Sequence, residues 1–118
     1  MTDHLIYRII TQERWEQIKT RAQLLPEPLD IKDGYFHLSP HDCVLESARL
    51  YFTIESRPIA LAFRVDSFDT IRWEWVSSRK SKFPHVYCGH LNINEIVHIR
   101  QLEWTEDGQY RWGEISLF

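Results

Sequence analysis

Apolar runs of two different periods alternate along the chain with polar turn signals, and they divide it into elements. Leu5-Ile6-Tyr7-Arg8-Ile9-Ile10 is dense in β-branched and aromatic residues and predicts a buried strand. Thr11 has N-cap chemistry for a helix reaching Lys19, with Glu13 in its first turn and Trp15 and Ile18 at helical spacing. Pro26 and Pro28 close that helix region and open a loop to a turn at Asp33-Gly34. Tyr35 to Leu38 predicts a short strand. Ser39-Pro40 then offers an N-cap with proline at the first helical position. The helix it starts is predicted over about Pro40 to Thr53, with Val44, Leu45, Ala48, Tyr51 and Phe52 as its apolar stripe.

Ile59 to Val65 is the clearest strand in the downstream half. Thr70 to Val76 alternates Ile71, Trp73 and Trp75 against Arg72 and Glu74, the pattern of a half-buried strand. Ser77 to Lys82 is polar and predicts a loop, and its Arg79-Lys80-Ser81-Lys82 run suits a solvated one. Short strands are predicted at His85 to Cys88 and at Ile96 to Trp104. Glu106-Asp107-Gly108-Gln109 is a tight turn, so a C-terminal β-hairpin is expected over about 95–113. The order of elements predicts an α+β fold with a mostly antiparallel sheet and two short helices near the N-terminal half.

Composition narrows this picture little. A chain of 118 residues, 43% hydrophobic and 26% charged, is expected to form one domain, 1–118, with its own core. Aromatic residues reach 14%, and large rings serve cores and ligand pockets alike. A net charge of −3 argues against a broad nucleic-acid surface, which needs clustered Lys and Arg. Cys43 and Cys88 lack a paired spacing and are expected as thiols in a reducing compartment. No apolar run approaches the ~20 residues that span a bilayer. Met1-Thr2-Asp3-His4 lacks the features of a secretory leader, so a cytoplasmic protein is expected.

Six histidines raise the question of chemistry. His37 and His41, and then His85, Cys88 and His90, have no zinc-ligand signature, although a metal-dependent hydrolase stays open as an alternative. Cys88 follows His85 by three residues, which on a strand puts the two on opposite faces and counts against thiol catalysis. Strand parity favours a different site. Tyr35, His37 and Ser39 share one face, against Phe36 and Leu38 on the other. His85 and Tyr87 share a face against Val86. Two such segments meeting would form a polar site with aromatic walls, and two solvated sheet faces would fit the pattern as well.

The succession Ile6-Tyr7-Arg8-Ile9, Trp15, Asp33-Gly34-Tyr35-Phe36-His37-Leu38-Ser39, Ala48-Arg49-Leu50-Tyr51-Phe52, Trp73-Glu74 and Phe83-Pro84-His85-Val86-Tyr87 resembles the domain-of-unknown-function family 952. The likeness spans about residues 4–100. It implies an ADP-ribosyltransferase-like fold, a split β-sheet core that cradles NAD in many relatives. Arg8 then corresponds to a residue holding the dinucleotide, and Gly34 to Ser39 with the following helix corresponds to a second motif. The strand near His85 corresponds to one that often carries a catalytic glutamate. Here the chain departs from the pattern, because histidine stands there and the nearest upstream acid is Glu74. RNA 2′-phosphotransferases of that broader fold use Arg and His without the glutamate.

The resulting expectation is a nucleotide pocket for NAD or ADP-ribose, serving a divergent ADP-ribosyl or phosphoryl-ribose transferase. His37 and His85 are its candidate catalytic residues, with Glu74 orienting His85. Arg8 and Ser39 would hold the polar part of the ligand, and Tyr35, Trp73 and Tyr87 would supply stacking walls. The rival from another class is a binding module that kept the fold without transfer activity.

Overall fold

The computed structural model describes residues 4–116; the first three residues, which bear on the leader expectation, lie outside it. In chain order the elements are β1 (Leu5–Thr11), α1 (Gln12–Ile18), β2 (Gln23–Leu24), α2 (Pro28–Asp33), β3 (Phe36–His37), β4 (Ser39–Pro40), α3 (Val44–Tyr51), β5 (Pro58–Arg64), β6 (Ile71–Val76), β7 (Ser81–Val86), β8 (Leu91–Asn92), β9 (Ile96–Trp104) and β10 (Tyr110–Ser116). One sheet runs β10-β9-β5-β1-β4 and a second runs β3-β7-β6, with β2 and β8 as a separate pair. Among the described residues every strand pairing is antiparallel.

Alternation along β1 and β5 sorts the core into two layers. Ile6, Ile10, Ile59, Leu61 and Phe63 pack with Trp15 and Ile18 of α1 on one side of the large sheet. Tyr7, Ala60 and Ala62 pack with Val44 and Ala48 of α3 on the other. The small side chains of Ala48, Ala60 and Ala62 leave room for the helix to lie close to the sheet.

The two sheets are joined by consecutive residues. β3 pairs with β7, placing His37 opposite His85, and two residues later β4 pairs with β1, placing Ser39 opposite Tyr7. The backbone changes partner at Leu38, whose N–H donates to the Pro84 carbonyl at 3.2 Å. Side chains of Tyr35, His37 and Ser39 therefore overlook the gap between the sheets.

Three expectations are corrected. The segment expected as a loop after Pro26 contains α2. Pro28 fills a first-turn position, Asp30 accepts the Glu27 N–H at 2.8 Å, and Gly34 ends the helix in a left-handed conformation at φ 84°. There are thus three short α-helices among the described residues, and Asp33-Gly34 is a helix end. Ser39-Pro40 starts no helix: Pro40 is extended (φ −70°, ψ 159°), a 3₁₀ turn covers His41–Cys43, and α3 begins at Val44. On β6, Ile71 packs against the core as the alternation predicts, but Trp73 and Trp75 on the same face are left 43% and 60% exposed. Hydrophobic periodicity located that strand and its core-facing side but not how far along it the core extends.

Candidate functional site

A cleft of about 710 Å³ opens where α2, the β3–β4 switch, α3 and β7 meet. That volume is within the usual range for small-molecule sites. Arg8, Tyr35, His37, Ser39 and His85 line it, together with Asp30, Asp33, Ser47, Arg79 and Phe83. Glu74 and Tyr87 stand behind His85, on the same face of the small sheet. Trp73 falls on the opposite face, next to Pro84 in register, and does not line the cleft.

The first corner is built on Asp30. The Arg8 guanidinium donates from Nη1 to Asp30 Oδ1 at 2.8 Å and from Nη2 to Oδ2 at 2.6 Å, a buried bidentate pair. Arg8 Nη1 also reaches the His37 carbonyl at 3.0 Å, and its charge sits over the Phe36 ring. His37 N–H donates to Asp30 Oδ1 at 3.2 Å. The His37 ring faces Asp30 Oδ1 through Nδ1 at 3.0 Å and Asp33 Oδ2 through Nε2 at 2.8 Å, so only a doubly protonated ring satisfies both contacts. Burial opposes ionisation of Asp30, but hydrogen bonds from His37 and Arg8 and the Arg8 charge outweigh it. They hold the carboxyl well below its ordinary range.

The second corner is built on Glu74. His85 Nδ1 lies 2.8 Å from Glu74 Oε1, and the Tyr87 hydroxyl donates to the same oxygen at 2.6 Å. The Tyr87 bond, followed by that of His85, lowers the Glu74 pKa. In return the bond to Glu74, with some burial, raises that of Tyr87. The buried His85 ring stacks on Tyr35, with centroids 3.9 Å apart and planes 22° from parallel. Nε2 is left as the His85 ring nitrogen without a protein partner among the described residues. A carboxylate fixing one nitrogen while the other faces a cleft is the arrangement of an oriented general acid or base.

Two lining residues carry weight that the sequence argument did not give them. Asp30 organises the first corner, and the pattern Glu27-Pro28-Leu29-Asp30, an acid two residues after a proline that opens a helix, was the signal available for it. Arg79, within the run read as a solvated loop, has a side chain only 6% exposed. It lies over the Phe83 ring at 4.7 Å and donates to Ser47 Oγ at 2.9 Å. Ser47 in turn lies 3.3 Å from Ser39 Oγ, which is where the Ser39 hydroxyl points in place of capping a helix. Sequence periodicity carries no trace of that contact.

The remaining histidines disperse. His41 stacks on Trp112 across the large sheet, and His90 meets Gln23. Among the described residues no group of three or more His, Cys, Asp or Glu side chains is placed to hold a metal. Cys43 and Cys88 are free thiols, and burial raises the pKa of each. No helix among the described residues is long and apolar enough to cross a membrane.

Comparison with known proteins gives this geometry a family. The crystal structure of protein CC0527 from Caulobacter crescentus superposes with a TM-score of 0.78 at 26% identity, covering 91% of this chain and 93% of that one. The solution structure of CC0527 gives 0.76 at 26% identity, covering 89% and 90%. No curated protein matches the chain. The family profile described as "Protein of unknown function (DUF952)" matches residues 9–99, which include His37, His85 and their carboxylates and begin one residue after Arg8, and the chain belongs to that family.

Proposed function

We propose that the cleft binds a nucleotide of the NAD or ADP-ribose class and that His85, oriented by Glu74, is its acid or base. The observation that carries this reading is the buried His85 ring, fixed at Nδ1, stacked on Tyr35 and unpartnered at Nε2 in a cleft of nucleotide size. The ADP-ribosyltransferase-like assignment is part of the proposal. Its support is the core split between two sheets at Leu38, and the return of a carboxylate, Glu74, to the late strand through its bond to His85.

In this scheme His85 Nε2 removes or supplies a proton at a ribose hydroxyl, and Tyr35 offers a flat face to a base or ring. His37 and Arg8, whose polar atoms are engaged with Asp30 and Asp33, shape the wall. A cytoplasmic location, where NAD is plentiful and both thiols stay reduced, goes with this reading. Calorimetric titration with NAD and ADP-ribose is the test, because no tryptophan lines the cleft to report by fluorescence. Absence of heat up to millimolar ligand would sink the proposal.

A second reading, binding without transfer, is favoured by one observation. Glu74 does not line the cleft, and its Oε1 is held by His85 and Tyr87, so its charge reaches a ligand only through the imidazole. Incubation with NAD and candidate acceptors separates the two. Nicotinamide release marks the transferase, and tight binding without release marks the binder.

A further inference from the structure

The two arginines of the cleft are in opposite electrostatic states. Arg8 has a bidentate counter-charge in Asp30. Arg79 is as deeply covered, yet the carboxylate it meets is Glu46 at 3.4 Å, a side chain 60% exposed. Its Nη1 goes to a neutral hydroxyl, Ser47, and its Nε, like that of Arg8, is buried with no partner. A guanidinium packed over Phe83 and Tyr51 without a full counter-charge is costly, and an exposed carboxylate at that distance compensates little. Arg79 is therefore a buried cation short of an anion, on the wall of a cleft.

Its neighbours complete an anion site. Ser47 Oγ accepts from Arg79 and shares one hydrogen bond with Ser39 Oγ, so one hydroxyl hydrogen of the serine pair is left free to donate. Both serines are buried and line the cleft. A free hydroxyl donor beside a guanidinium is a common complement of a phosphate group.

Register supplies the spacing. Phe83, beneath Arg79, and His85 are two apart on β7 and share the cleft face, so they are separated by about 6.6 Å, one pleat repeat. That is close to the span of a pentose from its 5′-phosphate to its anomeric carbon. We infer that Arg79, Ser39 and Ser47 form a phosphate subsite that holds the 5′-phosphate of a ribose whose anomeric end meets His85 Nε2. This rests on the proposed nucleotide reading and narrows it: the phosphorylated ribose is the recognised unit.

Calorimetry with ribose 5-phosphate, ribose and NAD tests it on the wild-type chain and on Arg79→Gln, Arg79→Lys and Ser47→Ala. Lys82→Gln, an exposed change on the opposite face of the same strand, controls for net charge. Ribose 5-phosphate should bind at least tenfold more tightly than ribose. Arg79→Gln should lower its affinity by about tenfold to a hundredfold, and Arg79→Lys should restore part of that. Ser47→Ala should give a smaller loss in the same direction, and Lys82→Gln should stay within about twofold of wild type. Thermal melts identify any variant that fails to fold, and the comparison of ribose 5-phosphate with ribose on the wild type stands without the variants. If NAD binds but the phosphate adds nothing and Arg79→Gln binds equally, the subsite is overturned while the nucleotide pocket survives. If NAD fails to bind but ribose 5-phosphate binds in an Arg79-dependent manner, the subsite stands and the nucleotide reading falls. If neither ligand binds, both fall.

Discussion

The two sides of the cleft are built from the same residue types and reach opposite ends. On the α2 side an acid, an arginine and a histidine neutralise one another: Asp30 is buried, Arg8 is bidentate on it, and His37 has a carboxylate at each ring nitrogen. On the β6–β7 side the same chemistry is left unfinished. Glu74 takes one nitrogen of His85 and leaves the other, and Arg79 lacks a full counter-charge. The difference teaches that histidine and arginine content does not mark a reactive site. Spare valence does, and here it lies on one side.

The comparison breaks most visibly at Asp30. Asp30→Ala takes the bidentate partner from buried Arg8, leaving it only the half-exposed Glu27 carboxylate at 3.6 Å, and should cost about 3–5 kcal/mol of stability, read from urea denaturation. A loss below about 1 kcal/mol would remove the idea that this side is a structural clamp. The pH dependence has a definite sign. Asp30 is depressed in the folded state, so its contribution is complete above the unfolded carboxyl value of about 3.9 and is lost as pH falls below that toward the folded value. Asp30→Asn should therefore flatten the acid limb of the stability curve.

His85→Gln is the matching test on the other side. If the chain catalyses transfer, turnover should fall about 10²- to 10⁴-fold with less loss of stability than Asp30→Ala causes. Unchanged turnover would take His85 out of the chemistry. His37→Asn sharpens the contrast, because a ring engaged at both nitrogens has no proton to exchange with a ligand. It should lower turnover by less than about tenfold, and an effect as large as that of His85→Gln would erase the distinction between the corners. The smallest effect belongs to Tyr87→Phe. Losing its hydrogen bond should raise the Glu74 pKa toward the ordinary value and move the acid limb of an activity profile, or of the carboxyl NMR titration, to higher pH.

How much of this was legible in the residues varied with the range of the interaction. β1, α1 and β5 followed from local period and capping, and Thr11 does cap α1 by accepting from the Arg14 N–H at 3.1 Å. The parity of Tyr35, His37 and Ser39 against Phe36, and of His85 against Val86, matches the faces they take, because alternation is a property of any strand. Trp73 was misplaced against that same alternation: it shares a face of the small sheet with Ile71 and Pro84, opposite the one bearing Glu74 and His85. Arg79 looked like one member of a basic loop until α3 and Phe83 closed around it.

The sequence by itself determined the antiparallel α+β character, the strands β1, β5, β6 and β9 and the faces of the two histidine segments, since each depends on neighbours a few residues away. β7 begins at Ser81, inside the segment expected as a loop, and ends at Val86, short of the expected Cys88. Tertiary structure alone decided which polar partner each arginine meets: Asp30 for Arg8 across 22 positions, and Ser47 for Arg79 across 32. Such contacts are set by where the chain changes sheets at Leu38, and no periodicity encodes the partner of a charge that far away.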